Sequence, residues 1–303
     1  MPDSKLMPLA EAIERFVPAG SSVALGLAQE TVIPFAAGHE LIRQRKRQLT
    51  LIGPISDILF DQLIGAGCVG KIQAAWVGNV ITGSGYNFRR AVEQGQIEME
   101  DYSNLLISLA LRAGAMGVPF MPARTALGSD LFKTNPQLKT MTCPFSGDTL
   151  SAVAALTPDV ALVHVQRADQ FGNAHLWGNL GITREACLAS RHIILTAEEI
   201  VEPDLISSDP NRVITPGFRV SAVVHAPWGG HPSPVPGCYN RDYQAFIDYR
   251  AESATPALFA AWQARWVDGV HRSEDYLTLL GEERMATLAL KHHLLSEPVD
   301  YGY

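Results

Sequence analysis

A chain of 303 residues, 47% of them hydrophobic and 18% charged, can bury a sizeable core, which excludes intrinsic disorder and leaves room for two average domains or one large α/β domain. Its net charge of -7 and pI near 5.7 exclude a broad nucleic-acid-binding surface. No apolar run approaches the ~20 residues that cross a bilayer, so no membrane partner is expected. Cys68, Cys143, Cys187 and Cys238 stand far apart with no CxxC, which reads as reduced thiols of a cytoplasmic protein and not as disulfides or zinc ligands.

The opening stretch MPDSKLMPLAEAIERF lacks the apolar core of an export signal, and it spaces Leu9, Ile13 and Phe16 at helical intervals over 8–16. After a Pro18-Ala-Gly20 break, 22–25 reads as a short strand leading into Gly26, 31–44 as a crossover helix and 48–52 as the next strand. This is a β-α-β unit, for which a right-handed parallel crossover is expected. The basic run RQRKR at 43–47 falls where that helix ends, so its cations complement the helix dipole. A second cycle places a helix at 56–64 and a strand at 71–77. Residues 77–86, VGNVITGSGY, then form a glycine-rich loop beyond a strand end, where ligands gather in open parallel sheets. The loop matches neither GxGxxG nor GxxxxGK[ST], so no nucleotide fingerprint is present.

Next come a helix at 87–94, the acidic stretch IEMEDYS and a long helix at 103–116 that the following Pro119 cannot continue. Glu98, Glu100 and Asp101 read as acids complementing the N-terminal dipole of that helix. Further strands are expected at 140–143, 160–165, 192–196 and 220–225, with a helix at 183–189. The run 160–165 is apolar except for His164, the pattern of a strand buried on both faces. Asp169, Gly172 and Asn173 supply turn chemistry after it, and 174–177 reads as a returning strand. Residues 226–240, with Pro227, Pro232, Pro234 and Pro236, are too long for a simple connector and read as a lid or an interface segment. From 242 onward the pattern is helical: 243–252, 256–267, 273–280 with Ser273 as N-cap, and 282–293. The expectation is an α/β fold, an open, mostly parallel sheet with flanking helices over 1–241, and a helical C-terminal extension at 242–303 packed on the same domain.

The segment HVQRADQFGNAHLWG resembles the HxxxADxxGN region of family I coenzyme A transferases, in the form carried by their alpha subunits. Other stretches resemble the same kind of chain in the same order: VALG at 23–26, MEDYS at 99–103, GVPFMP at 117–122, LGS at 127–129, AEEI at 197–200 and VVHAPWGGHPS at 223–233. The resemblance covers nearly the whole chain. It implies a CoA-transferase-like fold and a reaction in which a glutamate attacks an acyl-CoA carbonyl to form an acyl anhydride. A glutamyl-CoA thioester follows, and CoA passes to a second acid, so one hard exchange becomes several easier steps. In heteromeric members that glutamate belongs to the beta subunit, which makes a beta partner the expected companion, in a heterotetramer or larger. Coenzyme A enters as part of the substrate; no permanently bound cofactor and no metal are implied.

This chain fits the alpha role, because no glutamate occurs between Glu40 and Glu93 and the second strand ends at Ile52-Gly53-Pro54 without a carboxylate. Gly26, lacking Cβ, would let substrate approach and let main-chain N–H groups face a carbonyl oxygen. The family pattern continues with a second glycine where this chain has Leu27, then Ala28 and Gln29, a departure that bears on acyl specificity. Asn79 and Ser84 could hydrogen-bond a thioester oxygen or a carboxylate, and Gly128 with Ser129 matches the family's glycine-serine turn. Each has a plainer reading: a strand-ending glycine, a solvated loop, a turn-former. Glu100 and Asp101 are the alternative acid/base pair, by resemblance to alpha-like chains of ring-opening CoA hydrolases. Arg89 and Arg90 could meet CoA phosphates, a substrate carboxylate or only solvent; His231 reads as a structural loop residue or an interfacial one, and Trp228 and Tyr239 could cover a flat acyl or adenine group. Three functions therefore compete: the alpha subunit of a CoA-transferase for small carboxylic or dicarboxylic acids, the alpha subunit of a ring-opening CoA-thioester hydrolase, and a non-catalytic ligand-binding module.

Overall fold

The computed structural model describes residues 3–290. Among them, seven parallel strands form the main sheet: β1 (Ser22–Ala24), β2 (Leu49–Gly53), β3 (Val69–Ala74), β4 (Glu98–Asp101) and, after a small separate sheet, β8 (Val160–Ala168), β9 (His192–Ile200) and β10 (Ala222–His225). The intervening small sheet is antiparallel, made of β5 (Phe120–Ala123), β6 (Leu138–Thr142) and β7 (Thr149–Ala154), with β7 in the middle. The main-sheet order is β10-β9-β8-β1-β2-β3-β4. The chain thus builds outward from β1 on one side and returns beside it to build the other, which makes the β1/β8 boundary the switch point where a crevice opens beyond the carboxyl ends.

β8 carries the expected two-faced burial. Val160 and Leu162 pack into the core with α1 (Leu9–Phe16), α2 (Phe35–Arg43) and α3 (Asp57–Gly65), whereas Ala161, Val163 and Val165 face α5 (Asn104–Met116) and α6 (Thr183–Ala189). Its end turns as the residues require: Asp169 Oδ1 accepts from the Phe171 and Asn173 N–H groups, and Gly172 sits at φ 96°. A two-residue strand, Ala174–His175, then returns antiparallel to β8.

Several expectations are corrected. The acidic stretch forms the edge strand β4, parallel to β3, and Lys71 bridges Glu98 and Glu100 at 2.9 and 2.6 Å. Charged residues suit such an edge because they discourage further pairing. The crossover helix begins only at Phe35, since Val32 takes φ 47° and Pro34 caps the helix. β7 carries no sequence signal of its own beyond small alternating residues. Glycine-rich 77–86 holds a tiny ribbon in which Gly78–Asn79 pairs with Gly83–Ser84.

Residues 226–240 are a fixed wall and not a lid. Glu198 accepts from His164 Nε2, the Trp228 N–H and Tyr239 Oη, each at 2.7 Å, and the Trp228 and Tyr239 rings stack 4.3 Å apart. Beyond them the chain is helical, with α7 (Tyr243–Glu252) docked on α4 (Tyr86–Glu93) through Asn87 donating to Tyr249 and Arg250 over the Tyr86 ring, and α8 (Pro256–Gln263) following. Tyr249 Oη donates to the buried Asp61 carboxylate at 2.6 Å, which also receives Asn87 Nδ2 and the Phe88 N–H. Phe246, Phe259 and Trp262 bury into the same core as α2 and α3. α9 (Ser273–Leu280) has Arg272, not Ser273, at its N-cap, and Asp275 accepts from the Arg272 N–H at 3.0 Å. α10 (Glu282–Leu288) follows and stops short of the expected 293, because Ala289 turns extended and bridges Tyr239; 291–293 lie outside the described residues.

Candidate functional site

The loop leaving β1 is pressed against the loop leaving β2. Gly26 holds φ 67°, and a Cβ there would stand 2.6 Å from the Ile55 carbonyl oxygen and also run into the Ser56 hydroxyl. Only glycine suits this position, both for its left-handed backbone and for the close approach. Gln29 (φ 63°), Val32 (φ 47°) and Asp57 (φ 51°) are also left-handed without being glycine. Such strain persists only where surrounding contacts enforce it, and it collects at functional sites.

Those contacts are polar. The Leu27 carbonyl accepts from the Ile182 N–H at 2.9 Å and the Ala28 carbonyl from Asn179 Nδ2 at 3.2 Å, so the switch-point neighbour holds the loop. Ser233 Oγ donates to the Glu30 carbonyl at 3.1 Å and accepts from the Ile33 N–H at 3.2 Å. On the other side Asp57, at the first turn of α3, is 1% exposed. Its Oδ1 accepts from Asn79 Nδ2 at 2.6 Å, and its Oδ2 lies 3.6 Å from Arg241 Nη1. Arg241 Nη2 pairs with Glu30 Oε2 at 2.8 Å. Burial pushes the Asp57 carboxyl up to about 7, against the pull of the Asn79 hydrogen bond and the Arg241 charge, while Glu30 adds to the rise. Both Asp57 Oδ2 and the fully buried Ser56 Oγ lack a hydrogen-bond partner.

Gly26, Leu27, Gln29 and Asn79 are therefore brought together at the ends of β1 to β3. Leu27 is buried and presents backbone, while Gln29 is exposed at the loop's crest. Asn79 is buried and fully used: besides binding Asp57, its Oδ1 accepts from the Ile81 and Thr82 N–H groups at 2.8 and 3.2 Å. Ser84 stands across the ribbon, paired with Gly78, and its carbonyl faces Arg250. Gly128 and Ser129 are exposed on the small-sheet side, lining an open groove of ≈ 540 Å³ with Asp130, Lys133 and Lys139; Ser129 Oγ donates to the Ala126 carbonyl at 2.8 Å, as a turn-former does.

The alternative acids differ from each other. Glu100 is buried, and although burial works to raise its carboxyl, hydrogen bonds from Lys71, Tyr102 and Gln73 hold it below the usual carboxylate range. Asp101 is exposed, with its carbonyl accepting from Asn135. Arg90 is committed to the carbonyls of Ser253 and Ala254, at the end of α7. His231 lies between Tyr276 Oη and Asp242 Oδ2, at 2.5 and 3.0 Å. It lines a larger cavity of ≈ 620 Å³ under the C-terminal helices, which includes none of Gly26, Asp57, Asn79 or Arg241.

Sequence reasoning missed Asp57 and Arg241. Ser56-Asp57 opening a helix looks like an ordinary cap, and Arg241 is 184 residues away in the chain (241 − 57), so only the fold joins them. The one signal available was a carboxylate within four residues of Gly53, where β2 ends.

With this geometry in place, similarity to known proteins becomes interpretable. The family profile described as Coenzyme A transferase matches residues 6–226. The chain is 41% identical to the A-type subunit of 3-oxoadipate CoA-transferase from Pseudomonas knackmussii over 286 residues, covering 92% of this chain and 99% of that one. It is 33% identical to the A-type subunit of glutaconate CoA-transferase from Acidaminococcus fermentans, covering 94% of each. The crystal structure of glutaconate coenzyme A-transferase from that organism superposes with a TM-score of 0.90, covering 95% of this chain and 96% of the other at 32% identity. A cholesterol ring-cleaving hydrolase IpdA subunit of Rhodococcus jostii is 31% identical over 259 residues, 80% of this chain and 84% of that one. Matched along nearly its full length by such sequences and by their fold, the chain belongs to the coenzyme A transferase family, as a subunit of the A type.

Proposed function

We propose that this chain is the alpha subunit of a heteromeric cytoplasmic CoA-transferase that moves CoA between an acyl-CoA and a small dicarboxylic acid, with the nucleophilic glutamate supplied by a beta subunit. The observation that carries this reading is the state of the carboxylates. Among the described residues at the ends of β1 to β4, Glu30 is paired with Arg241, Asp57 is buried against Asn79, and Glu100 is engaged by Lys71, Gln73 and Tyr102. None is a free glutamate facing the Gly26 loop, whose left-handed glycine and close packing against the β2 loop support a binding role for its backbone. Two of the similar proteins carry dicarboxylates in their names, 3-oxoadipate and glutaconate, which supports the substrate class.

In this scheme the partner's glutamate attacks the thioester carbonyl and expels CoA thiolate, leaving an acyl anhydride. The thiolate then attacks the glutamyl carbonyl and releases the acid as its carboxylate. The incoming acid reverses these steps, and no net proton is consumed. This chain contributes binding: backbone N–H groups of the loop with Gly26, Leu27 and Gln29 polarise the carbonyl, and Asn79 with Ser84 shapes the adjoining wall. Gly128 and Ser129 stand outside this wall, on the open groove, where they would meet the CoA moiety and not the acyl group. Exposed Val80, Ile81 and Leu180 rim the loops and suit coverage by the companion chain.

In the hydrolytic alternative the acid would be Glu100 or Asp101; Glu100 is engaged by three donors, which leaves the exposed Asp101 as the candidate for that role. The test is borohydride reduction of the two-chain complex incubated with acyl-CoA. The expected product is a reduced glutamyl residue on the smaller companion chain. A trapped adduct on this chain, or turnover by this chain alone, would overturn the assignment.

A further inference from the structure

We propose that Asp57 is a positioning residue for CoA exchange: it ties the three loops leaving β1, β2 and β3 into one pocket wall, which is set for substrate only when Asp57 and Arg241 are paired. The proposal rests on the transferase reading and adds to it a residue of this chain on which catalysis depends.

The β3 loop meets Asp57 directly, the β2 loop carries it, and the β1 loop reaches it through Arg241. From the β3 side, Asn79 donates to its Oδ1 while stapling the ribbon through the N–H groups of Ile81 and Thr82. From the β1 side, Glu30 is held by Arg241 through both its carboxylate, at 2.8 Å, and its carbonyl, at 3.2 Å, and the same guanidinium reaches Asp57 at 3.6 Å. From the β2 side, Asp57 itself adopts a left-handed backbone beside Ser56, on which Gly26 is pressed. A buried carboxylate with one oxygen lacking a hydrogen bond is a poor choice for stability. Asparagine would fill the same volume without a buried charge, so the carboxylate has a task other than holding the fold together.

That task depends on charge. Burial raises the Asp57 carboxyl to about 7, so it changes state in the neutral range. The charged groups facing it are Arg241, from the segment before α7, and Glu30, from the β1 loop; the ribbon offers neutral Asn79. Once ionised, Asp57 draws Arg241 into a bridge between the loops. When it is protonated, Arg241 belongs to Glu30 alone. The sign for stability is opposite: a folded-state pKa above the unfolded value of 3.8 means stability is lost as pH rises from about 4 to about 7.

The experiment compares wild type with Asp57→Asn, each coexpressed with the companion chain. For wild type, kcat/KM should rise between about pH 6 and pH 8 with an inflection near the Asp57 value. Asp57→Asn should cut kcat/KM at pH 8 by about tenfold or more, abolish that rise, and raise Tm more at pH 8 than at pH 5. Arg241→Gln should lose the same pH dependence, and the double variant should be no worse than either single one. The single Arg241→Gln variant carries the test if Asp57→Asn fails to fold, and an Arg241→Gln complex that keeps the wild-type pH dependence likewise overturns the proposal. An Asp57→Asn complex that keeps wild-type kcat/KM and its slope overturns the proposal. So does one that loses activity and Tm equally at both pH values, because Asp57 would then be merely structural. If the wild-type complex transfers no CoA at any pH, the transferase reading itself fails, an outcome distinct from the other two.

Discussion

At the scale of single residues, Gly26 carries two independent constraints that alanine violates together. Its φ of 67° costs an L-residue about 1–2 kcal/mol, and the new Cβ would stand 2.6 Å from a main-chain oxygen that cannot swing aside. Gly26→Ala is therefore expected to lower the melting temperature and, by pushing the β1 and β2 loops apart, to reduce kcat/KM of the reconstituted enzyme by more than its stability loss explains. Unchanged kinetics in a folded Gly26→Ala variant would remove the loop from the catalytic wall. Gly26 was legible in the sequence because it follows a recognisable strand. Asp57 was not, since its significance lies in Arg241 and Asn79, which arrive from separate parts of the chain.

At the scale of elements, the C-terminal helices are held to the sheet layer by a buried polar contact as well as by apolar packing. Tyr249 Oη donates to Asp61, whose carboxyl is pushed above its usual range chiefly by burial, with the Tyr249, Phe88 and Asn87 hydrogen bonds working against that rise. Removing the hydroxyl in Tyr249→Phe leaves a buried carboxylate with one donor fewer, a loss of about 1–3 kcal/mol. The variant should show a lower denaturation midpoint and faster proteolysis within α7 and α8, while a variant as resistant as wild type would mean the contact is dispensable. The elements that were misread share a cause. β4 is an edge strand whose charges face Lys71, so its sequence looks like a solvated acidic turn. The first residues of the expected α2 are bent by contacts with Ser233 and Pro234, about 200 positions away.

At the scale of the whole molecule, the loops around Gly26 end in an apolar rim that the described residues do not cover. Val80 and Ile81 are 60% and 46% exposed at the ribbon tip, and Leu180 is 42% exposed on the loop that holds Leu27 and Ala28. Ile81→Glu should leave the Tm of the isolated chain unchanged, because the side chain already faces water. It should weaken assembly with the companion chain by about tenfold or more, ~1.4 kcal/mol, as read by calorimetric titration. Equal affinity would place the interface elsewhere. Among the described residues no helix is long and apolar enough to cross a membrane.

The sequence by itself determined the alternation of strands and helices, the doubly buried β8 and its Asp169-Gly172-Asn173 turn, and the loops at the carboxyl ends of β1 and β3. Those features are written in local periodicity and in the few residues that tolerate unusual backbone angles. Only the tertiary structure decided that Glu30, Asp57, Asn79 and Arg241 share one cluster, that Glu100 is paired with Lys71 on the neighbouring strand, and that 226–240 is wall and not lid. Such facts depend on desolvation and on contacts between distant segments, and both come into being only when the chain is folded.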